Sequence, residues 1–158
     1  MMLAENNALA ICHHEAGHAV AAIVYGLDLI GASVVSTPTE LGRVCYSRRT
    51  VQRLQLPHIK KLDAIVASCG PIAESVFTGK SVSECGSGID FERVRYRAIE
   101  LGRDRKEQLA IFRDILTQGI DLVHGNLRAI EAIAGSLAER HVLNNSQLKR
   151  LYQLNRGR

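Results

Sequence analysis

A glutamate lies between two histidines four residues apart in the segment CHHEAGHAVA, residues 12–21. On a helix, His14 and His18 are one turn apart, so both can present an imidazole nitrogen to a single zinc ion at about 2 Å. Glu15 would lean over the same face, where it could take a proton from a zinc-bound water during attack on a carbonyl and pass it to the leaving amine. This spacing is typical of a metallopeptidase in which the glutamate is the general base.

The same spacing also has a purely structural interpretation, in which His14 and His18 are core histidines with hydrogen-bond partners and Glu15 is a surface residue. The context favours the zinc site, because the motif lies in an apolar, strongly helical segment whose small residues leave room for a substrate backbone or for close helix packing. Gly17 costs up to about 1 kcal/mol relative to alanine inside a helix, so it requires a reason of packing or access.

The motif lies on a helix predicted over residues 7–25, with Asn6 or Asn7 as the N-cap and Gly26 at the left-handed position after its end. Apolar residues form one stripe of this helix. The opposite face, where the two histidines lie within about 40° of each other, is also largely apolar. We therefore expect a central helix that is covered on both sides.

Two β segments, residues 29–36 and 42–47, predict a hairpin or small sheet after this helix. A second helix is expected from about Pro57 to Gly79, broken or kinked at Gly70 and Pro71.

A helix-start signal follows, in which Ser87 and Asp90 stand three residues apart, with Asp in place of the usual Glu. Helical patterns then cover residues 105–140 with interruptions at Gly119 and Gly125, and a last short helix is expected from about residue 145. The predicted fold is a single domain over residues 1–158, mainly α with a small β-sheet or hairpin (α+β), with the motif on a central helix.

At HEAGHA, residues 14–19, the sequence resembles the peptidase domain of the FtsH-type AAA zinc metalloproteases, and the resemblance continues in the same order through most of the chain. Leu41 and Gly42 are similar to part of the family's ALG stretch. The segment CGPIAES is similar to GGRAAEE, and GSGIDFERVRYRAI is similar to GASNDLERATKIA. A helical tail follows, as expected for an FtsH-like metallopeptidase domain.

The resemblance implies a zinc site with three protein ligands, His14, His18 and Asp90. It also makes Glu15 the general base and acid. Asp90 lies 72 residues after His18, so the fold must bring the start of the third helix against the first. Without the resemblance, Asp90 is more simply a helix-start residue favoured by the helix dipole. Glu74 is expected to orient one of the histidines or to be structural, with direct ligation of the metal as the second interpretation.

We therefore expect a zinc-dependent metalloendopeptidase that hydrolyses unfolded or flexible polypeptides, which would lie beside an edge strand, either residues 44–47 or residues 32–36. The chain has no phosphate loop of the GxxxxGK[ST] kind, so any AAA ATPase is expected to be a separate partner chain. The alternative is a zinc-binding regulatory or adaptor module of peptidase fold, which binds such an ATPase or an unfolded client without cleaving. An intact Glu15 favours the enzyme, because a binding module has no chemical need for it.

Composition and charge argue against other classes of protein. The net charge is +4, and its excess lies in residues 95–158, where 12 Lys and Arg stand against 7 Asp and Glu. These charges are interleaved at helical spacing and aromatic residues make up only 4%, so we expect a solvated helix face and no nucleic-acid binding. The apolar run at residues 16–24 is far shorter than the roughly 20 residues that span a bilayer, so we expect no membrane-spanning segment. Four cysteines without a C-x-x-C pair, and no stretch that resembles a secretory leader, predict free thiols and a cytoplasmic location.

Overall fold

The structure is a computed structural model that describes residues 2–39, 41–86 and 88–157. The described part of the chain is mostly helical and contains one small antiparallel sheet, which confirms the predicted class. It forms seven α-helices and three strands, in the order α1 (Met2–Val24), β1 (Leu29–Ser33), β2 (Arg43–Tyr46), α2 (Arg48–Leu54), α3 (Lys60–Thr78), α4 (Ile89–Leu101), α5 (Arg105–Gly125), α6 (Leu127–Arg140), β3 (Val142–Asn144) and α7 (Asn145–Asn155). Short 3-10 turns at Pro57–Ile59 and Val82–Glu84 precede α3 and α4.

Helix α1 is central, as its two apolar faces predict. It packs against α3 on one side and against α6, α7 and the sheet elsewhere, and most of its residues from Cys12 to Ala22 are buried. Gly17 is the point of closest approach to α3, because a Cβ there would lie 2.4 Å from the carbonyl oxygen of Cys69 and 2.7 Å from Ala73 Cβ. Close helix packing is therefore the reason for this glycine.

The sheet has the strand order β2-β1-β3, and β1 pairs antiparallel with both neighbours. The predicted hairpin of β1 and β2 is confirmed, with Ala32 opposite Val44 in the register. Strand β3 was not predicted, because three residues between two helices carry too little periodicity to indicate a strand. Ala32 also pairs with Leu143 of β3, so β1 is paired on both of its edges.

Two boundaries of α1 test the sequence signals. The helix begins at Met2, so the predicted N-cap at Asn6 or Asn7 is wrong and both residues lie within the helix. Leu3 and Ala4 are good helix formers, and an asparagine inside a helix costs at most about 0.7 kcal/mol relative to alanine, so the helix extends past the cap signal. Gly26 has a φ of 64°, the left-handed conformation predicted for it.

The later helices show where local signals fail. Of the predicted break or kink at Gly70 and Pro71, the break is wrong, since α3 runs through both residues without interruption. Proline removes one backbone hydrogen bond, but the middle of α3 is buried against α1, α4 and α5, and this packing stabilises the helix. Gly119 likewise does not interrupt α5, while Gly125 does end it. Ser87 lies outside the described residues, and α4 is preceded by Gly88 with a φ of 83°. The short helix α2 was not predicted.

Candidate metal centre

Helix α1 places His14 and His18 side by side in a cleft, as their spacing predicts. Their Nε2 atoms lie 3.1 Å apart. Asp90, in the first turn of α4, approaches the same point, with Oδ2 3.0 Å from His14 Nε2 and 3.5 Å from His18 Nε2. The structure therefore brings together the three residues that the resemblance implied as ligands. Within the described residues they form the one cluster of its kind that could hold a metal ion, with all ligand atoms within 4.8 Å of one another.

The other nitrogen of each imidazole is held by a fixed acceptor. His14 Nδ1 donates to Glu74 Oε2 at 3.0 Å, and His18 Nδ1 donates to the carbonyl oxygen of Val66 at 2.9 Å. In a neutral imidazole such partners place the hydrogen on Nδ1 and leave Nε2 with a lone pair, which is the form that binds metals. Glu74 Oε2 also accepts from the backbone N–H of Gly86 at 2.8 Å, so the carboxylate itself is held in place.

The two facing Nε2 atoms and the carboxylate of Asp90 together create a site that favours a positive charge. Two lone pairs 3.1 Å apart repel each other unless a proton or a cation lies between them. Burial lowers the pKa of His14, but hydrogen bonds to Asp90 and Glu74 outweigh burial and raise it to about 9. Burial raises the pKa of Asp90, but His14 and His18 hold it well below its usual range. Two imidazoles and one carboxylate are the ligand types that zinc accepts, so these residues fit the ion.

Backbone packs closely against the rings of both histidines. A Cβ at Gly70 would lie 2.3 Å from His18 Nε2, and a Cβ at Gly86 would lie 2.8 Å from His14 Cε1. Gly86 also has a φ of 71°, which disfavours other residues. The glycine in CGPIAES is therefore required by the ring of His18, a contact that the sequence did not predict.

Glu15 lies in the same cleft, which has a volume of about 580 Å³. Its side chain is buried, and the α-carbon of Gly42 packs on its carboxylate, since a Cβ there would lie 2.9 Å from Oε1. Gly42 immediately precedes β2, so the start of this strand is beside the glutamate. The prediction of a surface glutamate, which belonged to the structural interpretation, is wrong.

Strand β2 lines the cleft through Arg43, Val44 and Tyr46. It pairs with β1 on one side and is an edge strand of the three-stranded sheet, so no other strand of the described residues adjoins its outer side. Of the two segments predicted as edge strands, only the one at residues 44–47 lies largely on such an edge, while residues 32–33 belong to the doubly paired β1. Burial raises the pKa of Tyr46, which keeps its hydroxyl protonated.

A chain of charges that sequence reasoning missed borders the cleft at Asp63 and Arg93. Asp63 is buried within α3, and it accepts from Arg93 Nε at 3.1 Å and from Arg97 Nε at 2.9 Å. These bonds tie α3 to the helix that carries Asp90. The sequence does carry a signal for this pairing. Asp63 stands in an apolar stretch, where a buried carboxylate requires a partner. Arg93 and Arg97 lie one turn apart on α4, so both can face it.

The neighbouring histidine of α1, His13, does not line the cleft. The ring of His13 stacks on Phe77 with centroids 3.9 Å apart, and its Nδ1 donates to the carbonyl oxygen of Leu9. The side chain of His58 lies outside the described residues. All four cysteines are free, as predicted, and Cys12, Cys69 and Cys85 are buried.

Comparisons with protein-family models and with curated proteins find no match for this chain. Among the described residues, no helix combines the length and the apolar character that crossing a membrane requires.

Proposed function

We propose that this chain is a zinc-dependent metalloendopeptidase of the FtsH-like type, acting on unfolded or flexible polypeptides. The observation that carries the proposal is the convergence of His14 Nε2, His18 Nε2 and Asp90 Oδ2 in a cleft that also contains Glu15. A buried glutamate beside such a cluster has the chemistry of a general base, because it can both accept and return a proton.

His14, His18 and Asp90 would hold the zinc ion. When bound, zinc lowers the pKa of water and polarises the carbonyl group of the substrate. Glu15 takes the proton of the attacking water on its carboxylate and gives it to the nitrogen of the leaving amine. Packing against Gly42 limits the freedom of this carboxylate, so its orientation is set before substrate arrives.

Glu74 has an orienting role in this proposal. It accepts from the ring nitrogen of His14 that lies opposite the nitrogen facing Asp90, and it is therefore on the wrong side of the imidazole to serve as the third ligand. The hydrogen bond raises the basicity of His14 and fixes its ring plane.

The substrate is proposed to lie extended along the outer edge of β2, which no other strand of the described sheet adjoins. Backbone groups of an edge strand pair with a peptide in the same way as with another strand. This mode of binding requires a segment without its own secondary structure. A partner ATPase that unfolds proteins would extend the range of substrates, but the mechanism within the cleft does not depend on it.

The test is cleavage of a fluorescently labelled, unstructured protein by the zinc-loaded wild type and by Glu15→Gln, without ATP and at matched zinc content. We expect Glu15→Gln to bind zinc and to lose activity by about 10²- to 10⁴-fold, the usual contribution of a general base. Glu92→Gln is the matched control, because Glu92 lies on α4 with a side chain that is 69% exposed and pairs with Arg95.

Cleavage by Glu15→Gln at the wild-type rate would remove Glu15 from the mechanism. If neither protein cleaves although both hold one zinc ion per chain, the peptidase proposal fails. The adaptor module, which binds a client or an ATPase without cutting, then replaces it.

A further inference from the structure

We infer that Arg93 is a specificity-determining residue of the cleft, which selects polypeptide segments carrying an acidic side chain near the bond to be cut. The inference rests on the proposed function, since it concerns the substrate of the same site. The charges and contacts that carry it do not involve the zinc ligands, and only the position of Arg93 relative to the reacting bond refers to Asp90.

Arg93 belongs to a linear chain of alternating charges between α3 and α4. Glu100 accepts from Lys60 Nζ at 2.7 Å and from Arg97 Nη1 at 2.7 Å. Arg97 then bonds to Asp63, and Asp63 bonds to Arg93. The order is positive, negative, positive, negative, positive, so two carboxylates are shared among three cations. One positive charge is in excess, and a cation stands at each end of the chain.

Only one end of this charge chain reaches the cleft. Asp63 and Arg93 line it, whereas Lys60, Arg97 and Glu100 do not. Arg97 is buried, and its charge is enclosed by Asp63 and Glu100. The side chain of Arg93 is 44% exposed, so the excess charge is available to a ligand at this position.

The guanidinium of Arg93 is held in a fixed position while part of it stays available. Its Nε donates to Asp63 Oδ2 at 3.1 Å and its Nη2 approaches Asp63 Oδ1 at 2.8 Å, which is a bidentate pair. Nη1 forms no hydrogen bond with any residue of the described ranges. A fork held by a buried carboxylate loses little freedom when it binds a second one, which favours binding of an anion.

The position of Arg93 places the bound anion close to the reacting bond. Arg93 follows Asp90 by three residues on α4, and side chains at this spacing are neighbours on one face of a helix, about 5–6 Å apart at Cβ. An acidic group that pairs with Arg93 therefore belongs to a residue near the scissile peptide. A carboxylate is the expected ligand, because its two oxygens match the geometry of the guanidinium.

The test uses peptides of one neutral, unstructured sequence in which a single glutamate is stepped through successive positions, each paired with a peptide that has glutamine there. Binding to zinc-loaded Glu15→Gln protein is measured by fluorescence anisotropy, so that cleavage does not interfere. We expect glutamate to bind roughly 10-fold more tightly than glutamine at one or two positions, as for a charge-assisted bond.

In the double variant that combines Glu15→Gln with Arg93→Gln, the ratio of the affinity for the glutamate peptide to that for the glutamine peptide is expected to fall to about one. In the double variant with Arg95→Gln it is expected to stay unchanged, because Arg95 has the same charge on the same helix, pairs with Glu92 and lies outside the cleft. Arg93→Lys keeps the charge but not the fork, so a ratio between these two values is expected.

Equal binding of glutamate and glutamine at every position, no binding of any peptide, or a preference that persists in Arg93→Gln would each overturn the inference. Cleavage of the same peptides by the wild type separates it from the proposed function. Peptides that are cut without an acidic preference contradict only the role of Arg93, and peptides bound with the preference but never cut contradict only the peptidase.

Discussion

The carboxylates of Glu74 and Asp90 lie on opposite sides of one imidazole, each 3.0 Å from a ring nitrogen of His14. Only Asp90 is on the same side as His18 Nε2, where the three candidate ligand atoms converge. The two acidic residues therefore differ in what their removal should do.

Asp90→Asn is expected to lose zinc, because the neutral amide replaces the one charged ligand of the cluster. Glu74→Gln is expected to keep most of its zinc and to lose about 10- to 100-fold in affinity, as for partners that orient a ligand. The measurement is zinc per chain after dialysis, by atomic emission, followed by competition with a chelator. Loss of zinc in Glu74→Gln with retention in Asp90→Asn would reverse the assignment of the third ligand.

Gly70→Ala is expected to abolish zinc binding without changing any ligand. Its Cβ would lie 2.3 Å from His18 Nε2, so the ring must leave its position. Gly135→Ala is the control, because Gly135 lies in α6 with no atom within 4 Å of the added Cβ. That variant should bind zinc normally and gain up to about 1 kcal/mol in the free energy of unfolding. Normal zinc affinity in Gly70→Ala would contradict the tight packing of the site.

The stability of the protein in excess chelator should depend on the proton held by His14. The pKa of His14 is raised to about 9 in the folded protein, against about 6.5 for an unperturbed histidine. The proton on His14 therefore stabilises the folded protein fully below about pH 6.5, and this stabilisation is lost as the pH rises through about 9. Its contribution to the free energy of unfolding is on the order of 3 kcal/mol.

Urea unfolding of the wild type and of Asp90→Asn, at about pH 6 and about pH 10, measures this effect. Groups distant from the site cancel in the difference between the two proteins. We expect the wild type to be more stable than the variant at the lower pH and to lose much of this advantage at the higher pH. A difference that is independent of pH would contradict the raised pKa of His14.

Asp63→Asn is expected to lower the free energy of unfolding by about 3 kcal/mol, because it leaves the buried Arg97 and the half-exposed Arg93 without their shared charge. Asp114→Asn removes a carboxylate that pairs with Lys61 at the surface, where its side chain is 48% exposed. That control should cost less than about 1 kcal/mol. Equal losses in the two variants, measured by urea unfolding, would show that Asp63 does not tie α3 to α4.

Local spacing in the sequence determined half of the candidate site and most of the helices. The positions of His14 and His18 follow from the helical repeat, because residues four apart lie on the same face whatever surrounds them. The left-handed conformation of Gly26 and the pairing of β1 with β2 are also local, since backbone sterics and short-range alternation decide them.

Contacts between distant parts of the chain were decided by the tertiary structure. The continuity of α3 through Pro71, the third strand at Val142–Asn144 and the charge chain from Lys60 to Arg93 all depend on packing between elements far apart in sequence. Asp90 was predicted by resemblance, because its own sequence signal is that of an ordinary helix start. Only the packing of α4 and α3 against α1 brings Asp90 and Glu74 to the two nitrogens of His14, since a side-chain position 60 or more residues away is set by the core and not by spacing.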